Sequence, residues 1–118
     1  MFAYIDKMRK RDYLGNFELM VLLAILQVGE DAYGVPIGRT LEDSTKREVS
    51  LGSIYAALER LEQKGLVSSQ LGAPTAERGG RAKNYFAVTA RGVRVVRDTQ
   101  DALTNLWRGL PQLKKQNA

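Results

Sequence analysis

Histidine and cysteine are both absent from the 118-residue sequence. Without cysteine the chain can form neither a disulfide nor a thiolate nucleophile, so its fold is independent of the redox state of its compartment. Without histidine it lacks the side chain that most often serves as a general base or metal ligand near neutral pH. A phosphate-binding glycine loop is also missing, because Gly79-Gly80 falls between two predicted strands rather than at the start of a helix. We therefore expect no catalytic residue, no metal site and no cofactor.

Long apolar segments are missing too. The longest purely apolar run spans residues 19–26, and these eight residues are too few to cross a bilayer. Residues 1–11 lack the apolar segment and the small-residue cleavage site of a signal peptide. These absences predict a cytoplasmic protein without a membrane partner.

Positive charge is in excess, with 18 Lys and Arg against 13 Asp and Glu, which gives a net charge of +5. Between Arg78 and Arg97 there are six basic residues and no acidic one. A stretch free of negative charge favours a polyanionic partner more specifically than the net charge does. With 44% hydrophobic residues, the chain is long enough to form one domain with its own core.

A long apolar run near the start of the chain predicts the first helix. Asn16 precedes the run and Gly29 follows it, so we expect a helix capped by Asn16 that ends near Val28. This helix is apolar on most sides, which predicts that it is the buried centre of the domain.

The second helix is predicted from a proline. Pro36 fits only in the first turn of a helix, where its missing N–H has no acceptor within the helix. The helix should therefore begin near Tyr33 or Gly34 and end near Thr45. Its apolar side is expected to consist of Val35, Ile37 and Leu41.

The segment "SLGSIYAALERLEQKG" predicts the third helix. Ser50 is a favourable N-cap and Gly65 a favourable stop. Apolar residues recur at intervals of three and four, which is one stripe of a helix with 3.6 residues per turn. They are Leu51, Ile54, Leu58 and Leu61. The exposed first turn is small, with Ser50, Gly52 and Ser53, whereas the last turns are charged.

Two strand candidates flank the Gly79-Gly80 turn, "LVSSQLGAP" before it and "KNYFAVT" after it. Adjacent glycines allow a tight reversal of the chain, so we predict a β-hairpin. Alternation places Phe86 and Val88 on one face of the second strand and Tyr85 and Ala87 on the other.

The last predicted helix is capped by Thr89, runs from Ala90 to about Gly109 and is stopped by Pro111. So broad an apolar face on the terminal helix of a small domain predicts a protein partner, and we expect a second copy of the chain. The predicted dimer interface consists of Val96, Leu103, Leu106, Trp107 and Leu110.

The order of three helices, a hairpin and a helix predicts a winged helix-turn-helix. The fold class is therefore mainly α with a small β-hairpin and a C-terminal dimerisation helix. We divide the chain into a basic N-terminal extension (1–14), a DNA-binding domain (15–89), the dimerisation helix (90–110) and a tail (111–118).

In a winged helix-turn-helix the third helix enters the major groove with its N-terminal residues against the bases, and the hairpin, called the wing, reaches the flanking backbone. The predicted DNA contacts in the helices are Tyr33, Ser50, Gly52, Ser53 and Tyr55, and those in the wing are Arg78, Arg81 and Lys83. Simpler interpretations remain beside each contact. Ser50 is first of all an N-cap, and Tyr55 alternatively packs at the edge of the core. Tyr33 alternatively shapes the start of a helix, and the alternative for the wing cations is that they are merely solvated.

The motifs "FELMVLLAIL", "DAYGVPI", "SLGSIYAALERLEQKGLV" and "ERGGRAKNYFAVTARG" resemble those of the PadR family of bacterial transcriptional regulators. The resemblance covers about residues 14–108. It implies homodimers joined through the last helix and repression of adjacent promoters. Because the chain stops after one C-terminal helix, it is most similar to the short subfamily.

The resemblance also bears on Trp107. In some multidrug-sensing relatives a tryptophan on the last helix lines a flat aromatic pocket at the dimer interface. Trp107, with Leu103 beside it, lies in the matching element, so we consider a small aromatic effector. The simpler interpretation, which we favour, is that the indole packs in the dimer seam.

We therefore interpret the sequence as a transcriptional regulator that binds double-stranded DNA. It is expected to repress by binding a pseudo-palindromic operator as a homodimer. An alternative is a winged-helix protein–protein adaptor, a class that loses the basic wing. A ligand sensor without DNA binding is a third interpretation, and the small first turn of the third helix argues against it.

Overall fold

The computed structural model of the chain describes residues 14–72 and 82–113. Its elements follow the predicted order, and we label them as follows: α1 (Asn16–Val28), α2 (Gly34–Thr45), α3 (Leu51–Gln63), β1 (Val67–Leu71), β2 (Asn84–Val88) and α4 (Ala90–Arg108). Short 3₁₀ turns at Gly29–Asp31 and Pro111–Leu113 complete the described chain. The predictions for Arg78, Arg81, the Gly79-Gly80 turn and the basic N-terminal extension before residue 14 lie outside the described residues.

The hydrophobic core lies where α1, α2 and α3 meet, with the hairpin closing one side. Its largest fully buried side chains are Val21, Leu22, Ile37, Ile54, Leu58, Leu61 and Leu66. Burying each such side chain stabilises the fold by about 1.5–3 kcal/mol. Because helices this short are marginal alone, the shared core rather than helix propensity holds the elements together.

The first helix, which the sequence predicts to be the buried centre of the domain, is buried on one side only. Val21, Leu22 and Ile25 face the core. Leu23 and Leu26 are 46% and 47% exposed on the opposite side. An apolar helix that is half exposed in one chain indicates a second contact surface besides the core.

The N-cap of α1 is Gly15, not Asn16 as the sequence predicted. The Glu18 carboxylate accepts a hydrogen bond of 3.1 Å from the Gly15 N–H. This bond fixes Gly15 in an extended conformation, and Asn16 becomes the first helical residue. A glutamate three residues after the cap is half of a capping box, and it outweighs the capping preference of asparagine here.

Two apolar residues assigned to buried stripes are exposed. Val35 lies in the first turn of α2, two positions before the buried Ile37 and therefore on another face of the helix. Leu51 shares its stripe with Ile54, but it occupies the first turn of α3, which extends beyond the core. Leu51, Gly52 and Ser53 are thus all exposed in the single chain.

The hairpin has the predicted alternation. Its strands are antiparallel, with Val67 opposite Val88 and Leu71 opposite Asn84. Phe86 is buried against the core, whereas Ala87 on the other face is exposed.

The hairpin passes directly into α4 through its predicted cap. The Thr89 hydroxyl accepts a hydrogen bond of 3.0 Å from the Gly92 N–H and donates one of 2.8 Å to the Gly65 carbonyl. Any Cβ at position 92 would collide with the Leu66 carbonyl, so glycine is required for this close approach. The first turn of α4 is therefore held against the Gly65-Leu66 segment that directly follows α3.

Candidate nucleic-acid interface

The exposed start of α3 is capped by its own serines. The Ser50 hydroxyl oxygen accepts a hydrogen bond of 3.1 Å from the Ser53 N–H, and the two hydroxyls are 2.8 Å apart. A Cβ at Gly52 would have no atom within 4 Å, so packing within the chain does not require glycine there. Ser50 is an N-cap, as predicted, and small residues leave this turn open to a close external contact.

A buried carboxylate fixes the far end of α3. Glu18 is 6% exposed, and its oxygens lie 3.0 Å from Arg60 Nε and 3.0 Å from Lys64 Nζ. Burial raises the pKa of Glu18, but hydrogen bonds from Lys64, the Gly15 N–H and Arg60 outweigh it, so the pKa lies below its ordinary value.

Sequence reasoning missed this contact, which we call the Glu18 clamp. From the sequence, the last turns of this helix, which include Arg60 and Lys64, were recognised only as charged. The available signal was a single carboxylate in a long apolar run, together with two cations four residues apart on a later helix.

Tyr55 projects from α3 onto the first residue of α2. The hydroxyl end of its ring occupies the space that a Cβ of Gly34 would need. The side chain nevertheless stays 45% exposed. Tyr55 therefore packs against α2 and also presents a surface to solvent.

Tyr33 faces the hairpin. Its ring lies edge-on to Tyr85, with ring centroids 5.7 Å apart and an angle of 76° between the planes. The Lys83 ammonium is 4.5 Å from the centroid of the Tyr33 ring. Tyr33 also supplies the N-cap of α2, but its side chain makes no capping hydrogen bond.

One backbone hydrogen bond joins the hairpin to the segment just before α2, and another extends the hairpin ladder toward its turn. The Phe86 N–H donates to the Ala32 carbonyl at 2.8 Å, and the Gly72 N–H donates to the Lys83 carbonyl at 2.8 Å. A Cβ at Gly72 would meet the Tyr85 ring. Of the sequence-predicted DNA contacts, the structure brings Tyr33, Lys83 and Tyr55 together at the start of α2. The sequence did not predict that Tyr85 packs against Tyr33, or that Gly72 lies against the Tyr85 ring.

A second surface, which we call the α1–α4 cleft, lies away from this site. It has a volume of about 680 Å³. Its lining includes the predicted Val96, Leu103, Trp107 and Leu110, together with Leu19 and Leu23 of α1. Trp107 and Leu106 are 57% and 69% exposed, whereas Val96 also packs partly against the core. Sequence reasoning found the α4 side and missed the α1 side, although Leu19, Leu23 and Leu26 have helical spacing.

Within the described residues, no three acidic side chains come close enough together to hold a metal ion. No helix in the same ranges combines the length and the apolar character needed to cross a membrane.

Comparison with known proteins places these features in a family. Residues 22–98, more than half of the chain, match the family described as transcriptional regulator PadR-like. No curated protein matches the chain.

Solved structures of PadR regulators share the fold. A PadR family regulator from Eggerthella lenta is 26% identical with a TM-score of 0.62, and the match covers 99% of this chain and 100% of that one. The complex structure of hsRosR-S1 is 26% identical with a TM-score of 0.64 and coverages of 83% and 80%. A PadR-like regulator from Bacillus cereus is 24% identical with a TM-score of 0.65 and coverages of 86% and 93%. With its winged helix-turn-helix fold and its match from α1 into α4, the chain belongs to the PadR-like family of transcriptional regulators.

Proposed function

We propose that the chain is a sequence-specific DNA-binding repressor that acts in the cytoplasm as a homodimer on a pseudo-palindromic operator. The observation that carries this proposal is the first turn of α3, which is small, exposed and without any packing reason for Gly52. In helix-turn-helix proteins this turn contacts the base edges. Ser50 and Ser53 offer hydroxyls at the positive end of the helix dipole, and Gly52 allows the backbone to come close.

The wing supplies the contacts to the DNA backbone in this proposal. Lys83 lies just before β2, and Arg78 and Arg81, outside the described residues, belong to the same basic stretch. Tyr55, which is 45% exposed, donates its hydroxyl to a phosphate oxygen beside α3 in this proposal. Such contacts position a protein on DNA without reading its sequence.

The α1–α4 cleft is the proposed dimer surface. Its large apolar side chains are exposed in one chain, and a second copy of α4 with Leu19 and Leu23 of α1 would cover them. Twofold symmetry then places the two α3 helices in successive major grooves, roughly 34 Å apart. Residues 15–89 form the DNA-binding unit and residues 90–110 the dimerisation helix.

Selection of binding sites from a pool of random-sequence duplexes tests the proposal. The wild-type protein should recover a motif with inverted half-sites. Gly52→Glu should abolish recovery, because it places bulk and negative charge where α3 meets DNA. It should not destabilise the fold, since an acidic residue is favourable in the first turn of a helix and glycine is not.

Gln63→Glu is the matched control, because it adds the same charge at the opposite, exposed end of α3. It should leave the selected motif unchanged. A pool without a recurrent motif, or normal recovery by Gly52→Glu, would contradict the proposal.

Release by a small aromatic ligand is the second part of the proposal. The cleft volume is in the range of small-molecule sites, and Trp107 lines it with Leu103. Planar aromatic compounds should quench Trp107 fluorescence and weaken DNA binding. A ligand that binds the DNA-free protein more tightly than the DNA-bound protein must lower the affinity for DNA by the same factor. Quenching without a change in DNA affinity would leave the indole as a residue of the dimer seam.

A further inference from the structure

The dipeptide Tyr33-Gly34 lies between the two DNA-facing parts of the molecule. Tyrosine is not a favourable N-cap, and the Tyr33 side chain makes no capping bond. Helix capping therefore does not account for this residue. Its contacts lead to the hairpin on one side and, through Gly34, to α3 on the other.

On the hairpin side, the Tyr33 ring holds a cation. Lys83 Nζ lies 4.5 Å from the ring centroid, within the range of a cation–π interaction. The Lys83 carbonyl accepts the last described hydrogen bond of the hairpin ladder, from the Gly72 N–H. Lys83 therefore lies at the end of the hairpin that leads to residues 73–81, and its side chain folds back over Tyr33, the N-cap of α2.

The same ring is itself held in place. Tyr85, on the strand that follows Lys83, packs edge-on against Tyr33, and an aromatic pair of this kind adds to the stability gained from burial. The Phe86 N–H bond to the Ala32 carbonyl joins the backbones of the two segments one residue away.

On the other side, Gly34 receives Tyr55 from α3. The hydroxyl end of the Tyr55 ring lies where a Cβ would be, so the two side chains from the wing and from α3 meet adjacent residues of one dipeptide. A displacement of the start of α2 would move both.

We infer that Tyr33 is a positioning residue for DNA binding. Its ring holds the Lys83 ammonium and the neighbouring end of the hairpin in a fixed relation to α3, and its hydroxyl is not used. This inference rests on the proposed function. A lysine already placed before binding loses less side-chain entropy when it meets a phosphate, so the ring increases affinity without touching DNA.

The first test needs no DNA. In NMR spectra the ε-methylene protons of Lys83 should show an upfield ring-current shift in the wild type and in Tyr33→Phe, and lose it in Tyr33→Leu. The Phe86 amide should stay protected from hydrogen exchange in all three proteins, which shows that the hairpin is still docked. A Lys83 signal that does not respond to Tyr33→Leu would overturn the inference.

The second test measures affinity for a duplex of mixed sequence. Tyr33→Leu should weaken binding about two- to fivefold, the equivalent of an exposed cation–π interaction. Tyr33→Phe should bind as the wild type does. In a Lys83→Ala background, Tyr33→Leu should have no further effect, because the ring then has no cation to hold.

Two results would refute the positioning role while the proposed function stands. If Tyr33→Phe is as weak as Tyr33→Leu, the hydroxyl contacts DNA directly. If the effects of Tyr33→Leu and Lys83→Ala multiply, the two residues act independently. Failure of the wild-type protein to bind any duplex would instead refute the proposed function, and the positioning role with it.

Discussion

The proposed DNA-facing surface, which comprises Tyr33, Ser50, Ser53, Tyr55 and Lys83, and the α1–α4 cleft differ in how far one chain completes them. At the proposed DNA-facing surface these side chains are oriented by contacts within the chain: Ser50 bonds to Ser53, Tyr55 packs against Gly34, and Lys83 lies over the Tyr33 ring. In the cleft, leucines and a tryptophan are exposed. In our proposal, the first surface is arranged before DNA binds, whereas the second is completed only by another copy of the chain. Changes in the cleft should therefore act through assembly, and changes at the DNA face through affinity.

The variant with the largest expected effect on assembly is Leu103→Glu. It places a carboxylate in the proposed dimer seam, where an unpaired buried charge costs several kcal/mol. We expect monomers and no detectable operator binding, because a single half-site lacks the contribution of the second protomer. Sedimentation velocity and an operator-binding assay measure the two effects.

Asn105→Glu is the control for Leu103→Glu. It adds the same charge to an exposed position of α4 that does not line the cleft. It should remain dimeric. Monomeric sedimentation of the unmodified chain at micromolar concentration would disprove the dimer.

The Glu18 clamp permits a prediction about stability rather than assembly. Glu18→Gln should lower the free energy of unfolding by about 1–2 kcal/mol. The decrease stays below that of a fully buried ion pair because the Arg60 side chain is 52% exposed and can be hydrated. Chemical denaturation of both proteins at neutral pH measures the difference.

The same pair of proteins has a defined pH dependence. Folding lowers the pKa of Glu18, so the carboxylate stabilises the fold above the unfolded-state pKa of about 4.3, and this contribution disappears as the pH falls through the lower, folded-state pKa. The stability difference between wild type and Glu18→Gln should therefore be constant near neutral pH and shrink in acid. A difference that grows on acidification would show that the clamp does not lower the pKa.

Gly34→Ala tests whether the packing of Tyr55 against α2 contributes to the proposed DNA-facing surface. The new Cβ would collide with the Tyr55 ring, which is partly exposed and can swing away. Thermal stability should change little, while DNA affinity should fall about fivefold, or ~1 kcal/mol. In a Tyr55→Leu background the same change should have no effect, and an equal decrease there would place its cause elsewhere.

The smallest effects should separate phosphate contacts from base contacts. Lys83→Ala should weaken specific and non-specific DNA binding equally and lower the log–log salt slope by about 0.9 for each phosphate that the lysine no longer neutralises. Arg81→Ala should behave in the same way. Ser53→Ala should instead change the preference between operators and leave the salt slope unchanged. Identical behaviour of the Lys83 and Ser53 variants would invalidate our assignment of wing and reading helix.

The sequence predicted the elements better than the contacts between them. Ser50, Pro36 and Thr89 determine helix starts through the local backbone, so α2, α3 and α4 begin where expected. The exposed half of α1 was missed because an apolar run does not state which of its faces has a partner in the same chain.

The contacts that build the site could not be predicted for a different reason. Glu18 and Arg60 are 42 residues apart, and their meeting depends on the angle at which α1 crosses α3. Lys83 and Tyr55 likewise reach the Tyr33-Gly34 dipeptide only after the hairpin has joined the segment before α2 and α3 has packed against α2. Helical periodicity and capping preference are local properties, and they carry no information about these packing angles.

The direct attachment of α4 has a mechanical consequence. No linker separates β2 from α4, and the close approach of Gly92 to Leu66 leaves the helix little freedom to pivot at its root. Its 19 residues extend about 28 Å, so α4 is a lever arm whose far end bears Trp107. If the two α4 helices of a dimer cross there, their crossing angle sets the distance between the two α3 helices. The spacing of the operator half-sites would then depend on the side chains at the far end of α4, which lie far from any base pair.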